Sequence, residues 1–200
     1  MTVATNKLIT IEEYLDYEDE TDARRYELED GVLVEMADEQ PINPTIAMFL
    51  SISLFQLGIP HRQLAIGHVI QVESKQASAR KPDLVVHSAG SIAAILDDGR
   101  LLRLGAPPPR LVVEVASNSS TDKRSYERDY VSKRRKYAKR GISEYWIVGS
   151  VAATVLVLTL SGDIYQEQKF QEQKFVGSER LVAPEFPALQ LSVNQIFQGG

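Results

Sequence analysis

Two acidic residues stand where acids are uncommon, at or within apolar runs of the sequence. Glu114 lies inside the run at residues 110–116, and Asp83 follows Pro82 at the start of the run that ends at Val86. A buried carboxylate is costly unless it is neutralised, finds a partner or binds a metal ion. If the two runs are neighbouring strands with both acids at one end, Mg²⁺ or Mn²⁺ would relieve their repulsion.

Each acid also has a simpler interpretation. An edge strand would leave Glu114 in water, and an acid at the start of a strand, such as Asp83, is commonly a turn residue. Only the two acids together, at the same end of adjacent strands, indicate a site for a cation.

Helical geometry selects a third residue, Lys133. If residues 125–140 form a helix, a step of about 100° per residue puts the tyrosines of this segment on one stripe, with Lys133 in its middle. A lysine on an inward-facing stripe needs a counter-charge or a chemical role. The alternative is a local salt bridge to Asp129, four residues earlier, with the lysine stem along the surface. The tyrosines are Tyr126, Tyr130 and Tyr137.

Length and composition are those of an ordinary globular protein. The 200 residues fit a single domain, 1–200, and 44% of them are hydrophobic. The absence of cysteine excludes disulfides, thiolate zinc sites and cysteine nucleophiles. No apolar run approaches the roughly 20 residues that span a bilayer, and the N-terminus lacks the apolar core of a signal peptide. We therefore expect a cytoplasmic protein with no membrane association.

Charge is distributed unevenly along the chain. The net charge of −5 argues against wholesale binding to a polyanion. Residues 12–39 carry thirteen acids and two arginines, whereas residues 122–140 carry nine lysines and arginines against three acids. The second segment is either a local basic face or the solvated surface of a helix.

One predicted helix carries no charge at all. Asn43 and Pro44 are typical of an N-cap and a first helical position, and the apolar segment at residues 45–57 follows them. A helix that is apolar nearly all round is normally buried. We therefore predict that this segment is the central core helix.

The other elements surround that helix. Asp30-Gly31 between two alternating runs predicts a hairpin at residues 25–36. The C-terminal runs at residues 152–160, 163–170 and 174–182 predict a β-meander or a hairpin. The remaining predicted strands are residues 64–73, 81–86, 110–116 and 144–148, and the remaining predicted helices are residues 10–18, 91–96, 125–140 and 193–197. This order predicts an α/β (α+β) fold, with a central mixed sheet flanked by helices, an added N-terminal hairpin and a C-terminal β-meander.

Six short motifs run through the sequence in a defined order. They are Tyr26-Glu27-Leu28-x-x-Gly31, Pro82-Asp83, Val113-Glu114-Val115 with Ser117, Asp129-x-x-x-Lys133, Gly141-Ile142-x-Glu144-Tyr145-Trp146-Ile147-Val148 and Pro184-x-Phe186-Pro187-x-Leu189. In this order and spacing the motifs resemble the bacterial Uma-type family. That family is regarded as one of restriction endonucleases and is placed in the PD-(D/E)XK nuclease superfamily.

The resemblance implies a restriction-endonuclease-like core in which Asp83 and Glu114 bind a divalent metal ion, Mg²⁺ or Mn²⁺. Glu27 matches a family glutamate and is expected to be a further acid on the metal side. In the superfamily a lysine follows the glutamate by two residues, where this sequence has Ala116. The family resemblance places the replacement at Lys133, which the helical geometry also selected.

The function that the resemblance implies is a metal-dependent endonuclease acting on nucleic acid, with DNA as the expected substrate. One alternative is a catalytically silent protein of the same fold that binds nucleic acid or a protein partner, and another is a plain dimeric scaffold. A homodimer is expected in which apolar terminal strands pair across a two-fold axis. The residues expected to contact phosphates are Arg128, Arg134, Arg135, Lys139 and Arg140.

Overall fold

The computed structural model describes residues 7–20, 26–36, 40–116, 131–161 and 169–198. In these ranges, five α-helices pack against two mixed β-sheets. The helices are α1 (Ile11–Glu20), α2 (Ile42–Gln56), α3 (Ala89–Asp98), α4 (Lys133–Arg140) and α5 (Val193–Gln198). The strands are β1 (Tyr26–Glu29), β2 (Val32–Glu35), β3 (Leu64–Ala65), β4 (Val69–Gln71), β5 (Ala79–Arg80), β6 (Leu84–Val86), β7 (Leu101–Leu102), β8 (Leu111–Ala116), β9 (Glu144–Gly149), β10 (Thr154–Ser161) and β11 (Lys169–Val176).

The larger sheet has the strand order β11-β10-β9-β8-β6-β3 and carries the core on both of its faces. Its central strands β8 and β9 run parallel and are buried along their full length. Because side chains alternate along a strand, Val113 and Val115 join the cluster with α2 and α5, while Val112 and Ala116 join the cluster with α3 and α4. Glu114 therefore belongs to the α4 face.

The smaller sheet has the strand order β2-β1-β5-β4-β7 and packs against α1. Its β1–β2 hairpin pairs Leu28 with Leu33 and turns at Asp30 and Gly31, whose φ angles are 48° and 78°. Two successive positive φ angles match the twist of antiparallel strands, and the Asp-Gly dipeptide tolerates them. The hairpin predicted at residues 25–36 is thus confirmed over residues 26–35.

The strand predicted at residues 64–73 is wrong as a single strand, whereas the strand predicted at residues 81–86 contains β6 alone. Residues 64–73 contain β3 of the larger sheet and β4 of the smaller one, and the chain returns from β5 of the smaller sheet to β6 of the larger one. Gly67, at φ +80°, lies between β3 and β4, and Pro82, which has no N–H to donate, lies between β5 and β6. Asp83 consequently lies where the chain passes between the sheets.

The N-terminus of α2 differs from the prediction that Asn43 caps a helix at residues 45–57. The helix begins at Ile42, and Asn43 lies inside its first turn. The buried Asn43 side chain donates through Nδ2 to the carbonyl oxygen of Val115 at 3.2 Å. The amide binds the backbone of β8 instead of the helix end, so the capping prediction is wrong.

The prediction that this segment is the buried central core helix holds for only one side of α2. One side packs on β8, but Met48, Ile52 and Phe55 are 52%, 49% and 54% exposed. These residues are spaced by four and three positions and therefore share one side of the helix. An apolar sequence that lacks charge does not reveal which side of a helix faces the core.

Two further elements extend past their predicted bounds. The turn predicted at residues 91–96 is the longer helix α3, which Ser88 begins by accepting a hydrogen bond from the backbone N–H of Ser91. At the C-terminal end, β10 and β11 form a hairpin, one of the two arrangements predicted there, and β9 extends it to an antiparallel meander. Its last strand runs through residues 169–176, across the gap between two predicted strands. In the ranges that the structure describes, no helix is long and apolar enough to cross a membrane.

Candidate active site

Glu114 is anchored by two side chains of α4. Its carboxylate is almost fully buried, with Oε2 2.8 Å from Lys133 Nζ and Oε1 accepting a hydrogen bond from the Tyr137 hydroxyl at 2.7 Å. Lys133 and Tyr137 are four residues apart, so both project from the same side of the helix. The helix thus packs across the Glu114 face of the sheet and brings the predicted lysine to that carboxylate.

Lys133 also connects the two sheets. Its side chain is fully buried, and its Nζ lies 3.2 Å from Glu27 Oε1 as well as close to Glu114. Glu27 comes from β1 of the smaller sheet, whereas Glu114 comes from β8 of the larger one. A buried ammonium group is tolerated when it is paired and hydrogen-bonded, and here two carboxylates provide that pairing.

Arg80 holds the acids of β1 and was not predicted as a site residue. It is fully buried, and donates through Nη1 to Glu27 Oε2 at 3.0 Å and through Nη2 to Glu29 Oε1 at 2.7 Å. Burial on its own would lower the pKa of Arg80, but the charges of Glu27 and Glu29 outweigh burial and raise it above its usual value. The guanidinium group therefore stays charged and fixes both carboxylates.

Lys136 completes the arrangement on the next turn of α4. Its Nζ lies 3.1 Å from Glu29 Oε1. Burial opposes ionisation of Glu29, but Arg80 and Lys136 together lower the pKa of this carboxyl group below its usual value. Three acids and three cations are thus collected at one place, and we call them the buried charge network. Its members are Glu27, Glu29, Glu114, Arg80, Lys133 and Lys136.

Tyr137 supplies a neutral donor beside this network. Burial, followed by the nearby charges of Glu114 and Glu27, raises the pKa of its hydroxyl well above the usual value of 10.0. The hydroxyl group therefore keeps its proton and donates to Glu114. The donor fixes one carboxylate oxygen without cancelling the negative charge.

Asp83 directly precedes β6 and lies next to Glu114 in the pairing of the strands. Leu84 is opposite Val113, so continuing the antiparallel register by one residue puts Asp83 opposite Glu114. Asp83 Oδ2 accepts a hydrogen bond from the backbone N–H of Val115 at 2.6 Å. The predicted placement of both acids at one end of adjacent strands is therefore what the fold provides.

A groove opens beside Asp83 with a volume of about 220 Å³. It lies where the chain passes between the sheets, against the first turns of α2. We call it the Asp83 groove. Its other lining residues are Pro44, Ala47, Ile66, Gly67, Lys81 and Pro82.

Carboxylate oxygens suit a hard divalent cation, but Glu114 Oε2 and Oε1 already contact Lys133 and Tyr137, and Asp83 Oδ2 accepts from the backbone of Val115. Within the described ranges, no three histidine, cysteine, aspartate or glutamate side chains are grouped so that they could hold a metal ion. Glu27, predicted as a further metal-side acid, instead accepts from Arg80, from Lys133 and from the backbone N–H of Lys81 at 3.2 Å. Asp83 and Glu114 would provide two oxygen donors, and water or substrate oxygens would complete the shell.

The basic residues predicted to contact phosphates have different surroundings. Arg128 lies outside the described residues. On α4, Arg135 is exposed and Arg134 is half-buried, whereas the exposed Lys139 has its Nζ 2.7 Å from Glu73 Oε1. These three side chains of α4 can meet a ligand that arrives from solvent.

Arg140 occupies a different environment from its neighbours. It is only 8% exposed and donates through Nη2 to the carbonyl oxygens of Arg103 and Ala106, at 3.0 and 2.8 Å. Burial lowers the pKa of its guanidinium group from the usual value. In this arrangement Arg140 holds the loop between β7 and β8.

Comparison with known proteins places this chain in a family. The sequence profile of the Uma2 family, described as "Putative restriction endonuclease", matches residues 11–194. The chain belongs to the Uma2 family. This Uma2 chain resembles a crystal structure described as a "putative nuclease belonging to DUF820" from Anabaena variabilis ATCC 29413, with a TM-score of 0.64 and 16% sequence identity. The match covers 92% of this chain and 97% of that chain.

The comparisons confirm the predicted family and the predicted nuclease-like α/β fold of this Uma2 protein. Family and fold together support a nuclease function in general terms. The search of curated proteins gives no match.

Four members of the candidate site were not predicted as site residues: Glu29, Arg80, Lys136 and Tyr137. Tyr137 was assigned only to the inward stripe, without its bond to Glu114. Arg80 was not considered, although a signal for it exists: Glu27 and Glu29 are two residues apart in a strand and must share a face. Two acids on one face of a buried strand indicate a cation opposite them.

Proposed function

We propose that this Uma2 chain is a metal-dependent endonuclease that hydrolyses phosphodiester bonds, with Asp83 and Glu114 at the reacting centre. The observation that carries the proposal is the 2.8 Å contact between Lys133 Nζ and Glu114 Oε2. Ala116 occupies the position of the superfamily lysine, and α4 returns a lysine to the same glutamate. The proposed reacting centre thus takes an aspartate, a glutamate and a lysine from three separate parts of the fold.

Asp83 and Glu114 would hold the divalent cation, Mg²⁺ or Mn²⁺. A bound cation of this kind polarises the phosphate and lowers the pKa of a coordinated water. Glu27 was predicted to be a further metal ligand. Its contacts with Lys133 and Arg80 favour a different role, as the second counter-charge of Lys133.

Lys133 supplies positive charge where the reaction develops negative charge. In phosphodiester hydrolysis, charge accumulates on the phosphate oxygens, and a fixed ammonium group in a site shielded from water stabilises it. Glu27 and Glu114 restrict the position of the Lys133 Nζ, and the Tyr137 hydroxyl restricts that of Glu114. Little reorganisation is then needed when the substrate reacts.

The exposed cations of α4 are proposed to position the nucleic acid. Arg134, Arg135 and Lys139 stand on the same helix as Lys133, and Arg128 precedes them in the sequence. Contacts of this kind bind phosphates without distinguishing bases, and binding should weaken steeply as salt is raised. DNA is the expected substrate.

The homodimer and the cytoplasmic location stay predictions. The exposed apolar side chains of Met48, Ile52 and Phe55 on α2 favour association with a second copy. Light scattering of the purified protein gives its mass directly, and a monomer at all tested concentrations would contradict the homodimer.

Cleavage of plasmid DNA tests the proposed function. Wild type should nick or linearise the plasmid with Mg²⁺ or Mn²⁺, whereas Asp83→Ala and Glu114→Ala should be slower by about three orders of magnitude. Asp97→Ala, which removes an exposed carboxylate of α3, serves as the matched control.

The possible outcomes separate the alternatives. Equal cleavage by wild type and both site variants would mean that a contaminant is responsible. Binding of nucleic acid without cleavage of any DNA or RNA would favour the catalytically silent protein of the same fold.

A further inference from the structure

We infer that the Asp83 groove is a subsite for one nucleotide of a DNA strand, with Lys81 contacting a phosphate and the apolar wall contacting the deoxyribose. This inference rests on the proposed function, because the groove is useful only if Asp83 acts on nucleic acid. It adds a substrate-binding residue and a sugar preference that the family and fold do not supply.

Most of the residues that line the groove are apolar. Five of its seven lining residues have side chains without any hydrogen-bonding group, and the other two are Lys81 and Asp83. Its volume of about 220 Å³ is suited to part of a nucleotide. Pro44 and Ile66 are exposed at its rim, whereas Ala47 and Pro82 are buried.

Lys81 is the cation of this groove. Its backbone N–H donates to Glu27 Oε1 at 3.2 Å, which fixes the main chain two residues before Asp83. Its stem lies beside Gly67, since a Cβ atom built on that glycine would be 4.0 Å from Lys81 Cε. The Lys81 side chain is half-buried, in contrast to the fully buried Lys133, and it lines the same groove as Asp83.

The shape and charge of the groove select its occupant. A phosphodiester carries one negative charge, which Lys81 can meet, and the faces of a sugar pack well on apolar side chains. A ribose 2′-hydroxyl held against this wall would lose its hydrogen bonds to water without gaining a side-chain partner. The groove therefore favours deoxyribose over ribose.

Binding of a labelled DNA oligonucleotide tests the role of Lys81. In buffer with EDTA, which prevents cleavage, Lys81→Gln should raise Kd about five- to tenfold. The slope of log Kd against log salt concentration should fall by about one, as expected for one lost phosphate contact. Lys81→Arg should retain most of the affinity.

Lys75→Gln is the matched control for charge, because Lys75 is exposed and does not line the groove. It should leave both Kd and the salt slope close to those of wild type. An unchanged Kd and slope in Lys81→Gln, or an equal change in both variants, would overturn the assignment of Lys81.

Single ribonucleotides test the sugar preference. In a set of DNA oligonucleotides, each with one ribonucleotide at a different position near the cleaved bond, one position should be cut about tenfold more slowly than all-DNA. Ile66→Asn should reduce that difference by giving the hydroxyl a partner. Equal cleavage of the whole set would overturn the sugar preference.

Failure of this inference can be told apart from failure of the proposed function. If wild type cleaves DNA but Lys81→Gln and the ribonucleotide set show no effect, the groove is not a nucleotide subsite and the nuclease proposal stands. If wild type neither binds nor cleaves DNA or RNA, the proposed function fails and the inference fails with it.

Discussion

Two buried glutamates lie at opposite ends of the central strand pair, and their surroundings differ. Glu114 lies near the end of β8, opposite Ile147, whereas Glu144 begins β9, opposite Leu111. Both are nearly inaccessible, at 6% and 0% exposure. Burial alone therefore does not separate a candidate reacting group from a structural one.

The partners of the two acids do separate them. Glu114 faces the ammonium group of Lys133, whereas Glu144 accepts from two neutral donors, the Trp146 indole at 2.8 Å and the backbone N–H of Glu185 at 2.6 Å. Burial, which these two hydrogen bonds only partly offset, raises the pKa of Glu144 above its usual value of 4.5.

Glu144 has a structural role near the C-terminus. Beside its contact with the backbone of Glu185, Arg110 donates through Nη2 to the carbonyl oxygen of Glu185 at 3.0 Å and through Nε to its carboxylate at 3.1 Å. The segment around Glu185 is thereby attached to β8 and β9. The acid proposed to bind a cation thus has a charged partner, whereas two neutral donors attach Glu144 to the C-terminal segment.

The largest expected effect comes from Glu114→Gln. An amide keeps the shape of the side chain but cannot provide a charged metal ligand, so cleavage should fall by about three orders of magnitude or more. Circular dichroism should show a folded protein. Glu144→Gln should cleave at the wild-type rate per folded molecule, and a large loss in that variant as well would remove the contrast between the two acids.

Glu144→Gln should instead lower stability. The amide offers one acceptor oxygen where the carboxylate accepts from two donors, so one N–H is left buried without a partner, at a cost of about 1–3 kcal/mol. Urea denaturation monitored by Trp146 fluorescence gives the free energy of unfolding. An unchanged unfolding free energy would show that Glu144 does not hold the C-terminal segment.

Tyr137→Phe should have a smaller effect on both properties. It removes the donor to Glu114 Oε1 and leaves that buried oxygen with fewer partners, which costs about 1–2 kcal/mol of unfolding free energy. Cleavage should slow by about tenfold because Glu114 is less restricted. Tyr145→Phe is the matched control, since Tyr145 is a buried tyrosine whose ring packs on that of Tyr137. Equal cleavage by wild type and Tyr137→Phe would remove the positioning role.

The smallest expected effect is on pH dependence. Because the pKa of Glu144 is raised by folding, the folded state binds its proton more tightly than the unfolded state. Its contribution to the unfolding free energy is largest below pH 4.5 and falls as the pH rises from 4.5 through the raised pKa. Urea denaturation across this range should therefore show that the unfolding free energy of wild type, relative to that of Glu144→Gln, decreases as the pH rises. A difference in unfolding free energy that does not vary with pH would contradict this prediction.

The sequence predicts the elements that carry Glu114 and Lys133 better than it predicts the strands around Asp83. The helical spacing of Lys133 and Tyr137 gave the inward face of α4, and the apolar run around Glu114 gave β8, because both depend on local periodicity. No periodic pattern in the sequence marks the two places where the chain leaves one sheet and joins the other, between β3 and β4 and between β5 and β6. The only signals were Gly67 and Pro82, and a single glycine or proline does not tell which sheet a strand joins.

Arg80 and the exposed side of α2 mark the other limits. The burial of Arg80 follows from its contacts with Glu27 and Glu29, which lie more than fifty residues earlier in the chain. Nothing in the sequence around Arg80 distinguishes it from the other arginines. An uncharged helix gives no sign of which side packs. Both features are set by tertiary contacts, so sequence patterns within one element do not determine them.

The central claim is that Lys133, brought in by α4, supplies the positive charge that Ala116 does not. The most direct test is the single-turnover rate of DNA cleavage by Lys133→Met, corrected for the folded fraction, with Lys136→Met as the matched control. Both variants remove a buried lysine of α4 from the same charge network and should lose about 3–5 kcal/mol of stability. The account predicts that cleavage falls by at least about a hundredfold in Lys133→Met and by less than about threefold in Lys136→Met. Equal rates in the two variants would contradict it.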